Sequence, residues 1–440
     1  MSPVEISRAP DSLRAREAAY QRDVLWESST SMPDPDFVRR ATRGLTAALA
    51  WWGAMAWAGT ADAADELAVS IVYVTREDGA KLPPLSLLEP RELADEGLAG
   101  AALGIKDNQT TGGFLGHAYT LTELIVPEDG DVVAAVKERL AAGERFFVAD
   151  LFAEDLLTIA DLPEAAGAII FNGRAQDDAL RTDECRPNVF HTIPSRAMKA
   201  DALLQFLIWK RWNRCFLIQG ERPADLAFAE ALRRSADKFN GKIVEERTYA
   251  YAPTSRVTET GHVQVQRQMP VFTQDAPEYD ILLVADESDV FGEYLPYQTW
   301  DPHPIAGTHG LVPTAWHRAH EQWAGTQMQN RFEEHAGRWM RERDYTAWLG
   351  VRALGEAVTR TSSNEPAVLR DYLRSDQFQI GAFKGEALTF RTWNQQMRQP
   401  ILLAAPRILV SVSPQEGFLH QRSPLDSLGF DQPESNCRLE

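Results

Sequence analysis

Short apolar runs are spread along most of the chain and are bounded by turn residues. Their length and their content of β-branched residues predict buried strands at residues 67–74, 146–149, 168–171, 215–219, 243–247 and 281–285. Longer stretches with apolar residues at helical spacing lie between these runs. Strands that alternate with helices of this length predict parallel sheets covered on both faces, and the number of units predicts two lobes.

The helical stretches are recognised by the spacing of their apolar positions. Three such faces are Leu98, Ala101, Ala102 and Ile105; Phe228, Leu232, Ala236 and Phe239; and Ala347, Val351, Leu354 and Val358. Two consecutive glycines, Gly112 and Gly113, are predicted to end the first of these helices. The predicted fold class is therefore α/β.

Charge and length narrow the class of protein further. The chain has 440 residues and a net charge of −18, with 63 acidic against 45 basic side chains. A length of this order favours two or three domains. An acidic surface repels nucleic-acid phosphates, so a nucleic acid is not expected as a partner.

The amino-terminal region has the features of an export signal. Arg39, Arg40 and Arg43 precede residues 45–58, which carry no charge. That run is shorter than the ~20 residues that a membrane-spanning helix needs. Small residues at 61 and 63 then resemble a cleavage site, so residues 1–63 are predicted to be a signal segment, with Met32 as a possible true start. The alternative interpretation of residues 45–58 is a buried core helix. No direct membrane anchor is expected.

Motifs that would identify a common enzyme class are missing from the sequence. It contains no phosphate-binding loop, no G-x-S-x-G nucleophile turn, no H-E-x-x-H pair and no dinucleotide fingerprint. Their absence removes the usual grounds for proposing an enzyme.

The three cysteines allow at most one internal disulfide. Cys215 lies in a predicted strand and is expected to be a buried thiol. Cys185 lies in a predicted loop and Cys437 in the tail. In an oxidising periplasm, a bridge between Cys185 and Cys437 would attach the tail to the first lobe.

Several segments resemble the leucine/isoleucine/valine-binding family of ABC-transporter receptors. EGLAGAALGIKDNQTTGGFLG (96–116) resembles that family's first helix, and PNVFHTIP (187–194) resembles its first crossover. Residues 214–220 with 228–234 resemble the first strand and helix of the second lobe, and 344–358 a later helix. The order and spacing of these segments cover most of residues 67–410.

A narrower resemblance involves four other segments. FNGRAQDDALR (171–181), PIAGTHGLVPTAW (304–316), FKGEALTFRTWNQQMRQP (383–400) and SPQEGFLH (413–420) resemble substrate-binding proteins associated with pyrroloquinoline-quinone (PQQ)-dependent alcohol dehydrogenase systems. This resemblance implies a monomeric periplasmic receptor that captures a small molecule or metal ion, is not an enzyme and needs no cofactor. Its implied partners are the permease subunits of an ABC importer in the inner membrane. The alternative is a metal- or cofactor-binding accessory for dehydrogenase maturation, without transport.

The resemblance implies the type I periplasmic-binding-protein fold, two doubly wound parallel-sheet lobes joined by three crossovers. The first lobe is expected to comprise residues 64–193 and 313–391, and the second 194–312 and 392–413. Residues 414–440 form the tail. The crossovers are expected near residues 192–194, 311–314 and 390–393.

In such a fold the ligand lies between the lobes, at the carboxyl ends of the parallel strands. Selecting residues there gives a list of candidates, to which His309 is added because it follows a strand near a crossover. The candidate ligand-binding residues are Asp150, Phe152, Glu154, Asn172, Arg174, Asp177, Glu221, Asp286, Glu287, Tyr294, Trp300 and His309.

Two ligand classes fit these candidates. Carboxylates at 150, 154, 177, 286 and 287 would suit a Ca²⁺-like or lanthanide ion. Alternatively, Arg174 with Phe152, Tyr294, Tyr297 and Trp300 would hold a flat anion such as a quinone cofactor or an aromatic acid. A simple branched-chain amino acid is disfavoured, because its carboxylate would meet acidic residues where the family has small hydroxyl residues. Each carboxylate also has a structural alternative as a helix cap.

Overall fold

The computed structural model describes residues 66–77, 93–250 and 261–439. The predicted signal segment, residues 1–63 with Met32, lies outside these ranges. Within them, no helix has both the length and the apolar character required to cross a membrane.

The first lobe is built on a five-stranded parallel sheet in the order β2-β1-β3-β4-β5. Its strands are β1 (Leu67–Arg76), β2 (His117–Val126), β3 (Phe146–Asp150), β4 (Ile169–Asn172) and β5 (Val189–His191). Helices α1 (Leu98–Leu115), α2 (Val132–Ala141) and α3 (Ala153–Ala160) connect the first four strands.

Strand β1 shows why the apolar runs of this chain are nearly continuous. Ile71 and Tyr73 belong to one hydrophobic cluster, whereas Val72 and Val74 belong to another. Successive side chains of a strand point to opposite faces, so both faces of this sheet are buried. A sheet with two buried faces needs apolar residues at every position and not only at alternate ones.

The second lobe repeats the arrangement with a four-stranded parallel sheet in the order β7-β6-β8-β9. Its strands are β6 (Arg214–Gln219), β7 (Lys242–Thr248), β8 (Ile281–Ala285) and β9 (Ile305–Gly307). Helices α4 (Arg196–Trp209) and α5 (Pro223–Lys238) pack on one face with Leu217 and Leu283, and α6 (Gly261–Thr273) packs on the other with Phe216 and Leu282.

Two small antiparallel sheets complete the fold. They consist of β10 (Val312–Thr314), β14 (Ile401–Ala405) and β15 (Ile408–Ser413), and of β11 (Ile380–Gly381), β12 (Ala387–Phe390) and β13 (Met397–Arg398). Helices α7 (Gly325–Ala336), α8 (Glu342–Thr361) and α9 (Pro366–Arg374) pack in the first lobe's core. The tail after β15 contains two short 3-10 helices, Pro424–Ser427 and Gln432–Glu434.

Three connections join the two cores, and the third lies later in the chain than predicted. Phe390 pairs with Met397, and both belong to the first lobe's core, whereas Ile401 belongs to the second. The chain therefore crosses at residues 399–400 and not near 390–393. The side chain of Gln399 donates a hydrogen bond of 2.7 Å to the carbonyl of Thr192, which fixes the third connection against the first.

The predicted class of two parallel sheets covered by helices is confirmed, and all six predicted strands lie within two residues of their observed ends. The predicted helix end at Gly112 and Gly113 is wrong, because α1 continues to Leu115 and ends at Gly116 in a left-handed conformation. A Cβ on Gly112 would approach the ring of Tyr119 to 2.7 Å. This glycine therefore allows close helix–strand packing and does not break the helix.

Candidate ligand-binding site

The carboxyl ends of the two sheets meet around one buried arginine. Arg196, the first residue of α4, is 8% exposed. Its Nη1 lies 3.2 Å from Asp177 Oδ1 in the loop after β4, and its Nη2 lies 2.7 Å from Glu287 Oε2 in the loop after β8. A single guanidinium spans the gap, so the loops that follow the strands of the two lobes face each other. This is the position at which ligands bind in open parallel sheets.

In the first lobe, Asp150 at the end of β3 is held by two partners. The hydroxyl of Tyr73 donates to Asp150 Oδ2 at 2.7 Å, and Arg343 Nε donates to Oδ1 at 3.0 Å. Arg343 lies in the first turn of α8, which places this helix directly over the strand ends. Burial and the adjacent carboxylate of Asp150 raise the pKa of Tyr73 well above its usual value. Asp150 is therefore a buried, paired carboxylate.

A second acidic group, Glu96, lies beside this pair. Burial raises the pKa of Glu96 to about 7, although the positive charges of Arg343 and Arg341 act in the opposite direction. Arg341 Nη1 lies 3.4 Å from Glu96 Oε2. A carboxyl group with a pKa near neutrality changes its charge within the physiological range. The carboxyl edge of the first lobe's sheet therefore contains a group whose charge depends on pH.

A half-exposed aromatic ring and a partly buried cation lie together on the same edge. Phe152 directly precedes α3 and remains 49% exposed. The guanidinium carbon of Arg174 lies 3.9 Å from the centre of its ring. Glu154 is exposed in the first turn of α3. Phe152 and Arg174 therefore present an apolar surface and a positive charge side by side.

Asn172 was predicted to contact ligand, but the structure gives it another role. Its side chain accepts a hydrogen bond from the Ala175 N–H at 2.8 Å, donates to the Ala175 carbonyl at 2.8 Å, and lies 3.0 Å from His191 Nδ1. It is fully buried. These bonds use the amide to shape the loop after β4, so Asn172 does not face the cleft.

Asp286 at the end of the β8 strand is likewise structural. Its two oxygens accept hydrogen bonds from the N–H groups of Val290, Phe291 and Gly292 at 2.6–2.9 Å. His309 Nε2 lies 3.0 Å from Asp289 Oδ1, and ligand atoms of Asp286, Asp289 and His309 fall within 4.8 Å of one another. A metal ion can bridge such a spacing, but the bonds to Asp286 already satisfy the loop without one.

Four of the five carboxylates predicted to converge on a metal ion are already bound by other groups, and the fifth, Glu154, is exposed on α3. Asp150 is paired with Arg343, Asp177 and Glu287 share Arg196, and Asp286 caps a loop. The sequence could show that the acids follow strands, but it could not show that arginines pair with three of them and that backbone N–H groups bind Asp286. The structure therefore gives little support to a metal-ion site formed by these five carboxylates.

Trp300 lies near the amino ends of the second sheet's strands and not at the carboxyl ends, where a ligand is expected. Its backbone N–H donates to Thr273 Oγ1 at 2.8 Å, and Thr273 is the last residue of α6, which leads to the amino end of β8. The loop after β8 starts at the carboxyl end of the sheet and returns to its amino end before β9 begins. Trp300 is 56% exposed on that opposite side. Tyr294 and Glu221 remain nearer the carboxyl ends, Tyr294 in the 3-10 helix Gly292–Tyr294 and Glu221 two residues after β6.

Three residues of the site were missed by sequence reasoning. Arg196 follows the predicted first crossover by two residues, so its position beside both lobes was available from the sequence. Tyr73 lies near the carboxyl end of the first predicted strand, so its position near this edge of the sheet was also available from the sequence. Arg343 gave no signal, because only the tertiary position of α8 brings it to Asp150.

The cysteines occupy different environments. Cys185 and Cys437, the pair expected to form a bridge, are bonded to each other with their Cα atoms 5.6 Å apart. Cys215 is a buried free thiol, as predicted, and burial raises its pKa to about 12.

Comparison with known proteins agrees with this geometry. Residues 91–266 match the family described as periplasmic binding protein. A branched-chain amino acid ABC transporter periplasmic ligand-binding protein from Burkholderia xenovorans LB400 is similar, with a TM-score of 0.60 and 12% identity, over 79% of this chain and 95% of that one. The chain has the type I periplasmic-binding-protein fold. No curated protein sequence matches it.

Two further structures of this fold were solved with a ligand. An ABC transporter substrate-binding protein from Desulfitobacterium hafniense in complex with Leu has a TM-score of 0.57 and 16% identity, over 78% of this chain and 99% of that one. A solute-binding protein from R. palustris in complex with benzoate has a TM-score of 0.55 and 11% identity, over 85% of this chain and 99% of that one. Likeness at these identities extends to the fold alone.

Proposed function

We propose that the protein is a periplasmic solute-binding receptor of an ABC importer, which binds a small ligand between its lobes and passes it to permease subunits. The observation that carries this proposal is the ion bridge of Arg196 to Asp177 and Glu287, which sets the carboxyl ends of the two parallel sheets opposite each other. A binding protein and not an enzyme is proposed.

The proposed ligand is a flat organic anion such as an aromatic carboxylate. Phe152 offers an exposed ring face, and Arg174 beside it offers a planar cation. A carboxylate bonded to Arg174 while its ring packs on Phe152 would use both features. Asp150 and Glu96 on the same edge are paired with arginines, which reduces the repulsion that a ligand carboxylate would otherwise meet there.

Thermal-shift screening of the mature protein tests this ligand class. Benzoate, leucine, PQQ, Ca²⁺ and a lanthanide are added separately, because a ligand that binds only the folded state raises the melting temperature by mass action. We expect a shift with benzoate or PQQ that Arg174→Gln reduces. Arg360→Gln is the matched control, since Arg360 is an exposed arginine on α8. A shift with leucine alone would contradict the proposed ligand class, and the lack of any shift would contradict the receptor.

The association with PQQ-dependent alcohol oxidation is also proposed, on the sequence resemblance of residues 171–181, 304–316, 383–400 and 413–420. The alternative function is an accessory protein that binds a cofactor for dehydrogenase maturation and takes no part in transport. Association of the ligand-loaded protein with a membrane permease would favour the importer. A shift with the lanthanide in the screen, absent with benzoate and PQQ, would favour a metal-binding accessory.

A further inference from the structure

The carboxyl-terminal tail is fastened to both lobes. After β15 it returns to the second lobe, where Leu428 is fully buried in the hydrophobic core. Asp201 of α4 accepts a hydrogen bond from the Gly429 N–H at 2.8 Å, and Lys238 of α5 donates to the Gly429 carbonyl at 3.0 Å. This part of the tail is therefore part of the second lobe.

The same segment is bound to the hairpin that precedes the third connection. Asp426 is 4% exposed and accepts hydrogen bonds from Arg391 Nε at 2.8 Å and Arg398 Nε at 2.9 Å. Arg391 is also buried and donates to the carbonyls of Leu428 and Phe430. Both arginines lie on the β12–β13 hairpin, which contributes Phe390 and Met397 to the first lobe's core. The tail therefore packs beside a connection between the lobes.

Beyond this point the tail reaches the first lobe. Ser435 Oγ donates to the Arg181 carbonyl at 3.1 Å, and Asn436 Nδ2 donates to Asp183 Oδ1 at 2.8 Å. The next residue, Cys437, is disulfide-bonded to Cys185. All three partners lie in the segment between β4 and β5.

Adjacent tail residues thus contact opposite lobes. Glu434 Oε2 lies 3.0 Å from Arg234 Nη2 on α5 of the second lobe, whereas Ser435 is bonded to the first lobe. Only three peptide units separate Glu434 from the disulfide, and they span at most about 11 Å when fully extended. A rotation that moves Cys185 away from α5 must therefore release the bonds of the tail or be stopped by them.

We propose that residues 424–437 form a strap that limits the rotation between the lobes, with the Cys185–Cys437 disulfide as its covalent anchor. The strap keeps the facing strand ends close in the absence of ligand, which reduces the conformational ordering that binding requires. Only the reduced ordering on ligand binding rests on the proposed function. The mechanical claim concerns the lobes alone.

The test measures lobe motion without any ligand. Donor and acceptor dyes are attached through p-acetylphenylalanine at positions Glu138 and Lys242, which are exposed on the first and second lobes, so that the cysteines stay intact. A chain ending at Glu434 loses every first-lobe contact of Ser435, Asn436 and Cys437. We expect a broader distribution of inter-lobe distances for this chain. The control is a chain ending at Arg438, which keeps the disulfide and should match the full-length protein.

Cys437→Ser is a second variant, which removes only the covalent anchor. Hydrogen exchange of the Leu428 and Gly429 amides should accelerate by about tenfold or more in the truncated chain, and less in Cys437→Ser, as local opening becomes easier. An unchanged distance distribution in the folded chain ending at Glu434 would overturn the strap. A failure to find any ligand would leave this result unaffected and would count only against the receptor.

Discussion

An aspartate ends or directly follows a buried parallel strand in each lobe, and the two aspartates are used differently. Asp150 of the first lobe is bound by side chains, the Tyr73 hydroxyl and the Arg343 guanidinium. Asp286 of the second lobe is bound by three backbone N–H groups of the loop that follows it. One carboxylate holds a distant helix in place, whereas the other only shapes its own loop.

The difference shows what a carboxylate after a strand does and does not indicate. Its position places it at the carboxyl edge of the sheet, but its availability to a ligand depends on what has already neutralised it. In the first lobe Phe152 stays about half exposed beside these paired charges, with the guanidinium of Arg174 over its ring. We infer that the first lobe supplies the surface that the proposed ligand contacts, around Phe152. The second lobe supplies Glu287 to the bridge between the lobes.

The largest expected effect separates the two aspartates directly. Asp150→Asn leaves the largely buried guanidinium of Arg343 without the carboxylate that binds it, so the free energy of unfolding should fall by about 3–5 kcal/mol. Asp286→Asn keeps an acceptor oxygen for the loop and should lose only about 1–2 kcal/mol. Urea unfolding curves measure both values. Equal losses would show that the two carboxylates are held in the same way, and the comparison would fail.

A somewhat smaller effect is expected where the two lobes meet. Arg196→Met leaves Glu287 and Asp177 without their cation, and because both acids are partly exposed the loss should be about 1–3 kcal/mol. Arg360→Met removes an exposed pair with Glu356 and should change stability by less than about 0.5 kcal/mol. Chemical denaturation of the two variants in parallel checks this. A loss no larger for Arg196→Met than for the control would mean that the bridge does not hold the lobes.

The pH dependence of stability sharpens the description of the first lobe. The folded protein raises the pKa of Glu96 to about 7 from its ordinary value of 4.5. The folded state therefore binds this proton more tightly, so the contribution is fully present below pH 4.5 and is lost as pH rises through 7. Glu96→Gln should lack this loss and gain about 1–3 kcal/mol on the wild type between pH 5 and pH 8.

Glu154→Gln, an exposed substitution on the same edge, is the control for that experiment. Its stability should follow the wild-type curve over the same range. If Glu96→Gln also follows the wild type, Glu96 is ionised throughout, and the first lobe has no group that titrates near neutrality.

Much of the fold was predictable because both faces of each main sheet are buried. Strands such as residues 281–285 must then be apolar at every position, which makes their pattern unmistakable. Strand β2 was missed because it lies at the edge of its sheet and alternates polar with apolar residues. The third connection was misplaced because the hairpin of Phe390 and Met397 belongs to the first core, which only its tertiary packing shows.

The candidate site was less predictable for a related reason. Position after a strand identifies Asp150, Phe152 and Arg174 as residues at the carboxyl edge of the first sheet, because parallel strands end on one side of a sheet. Trp300 was selected for its flanking turn signals, and the loop after β8 is long enough to carry it to the opposite end of the sheet. Partners such as Arg343 are brought in by a helix almost 200 residues away, and no local pattern encodes that contact.

The smallest expected effect gives the most direct test of the proposed binding site. Calorimetric titration with benzoate compares the wild type with Phe152→Ala and Trp300→Ala, two exposed aromatic residues at opposite ends of the lobes. Phe152→Ala should weaken binding by about tenfold, whereas Trp300→Ala should leave the affinity unchanged. Weaker binding in Trp300→Ala with unchanged binding in Phe152→Ala would contradict a ligand site at the facing strand ends.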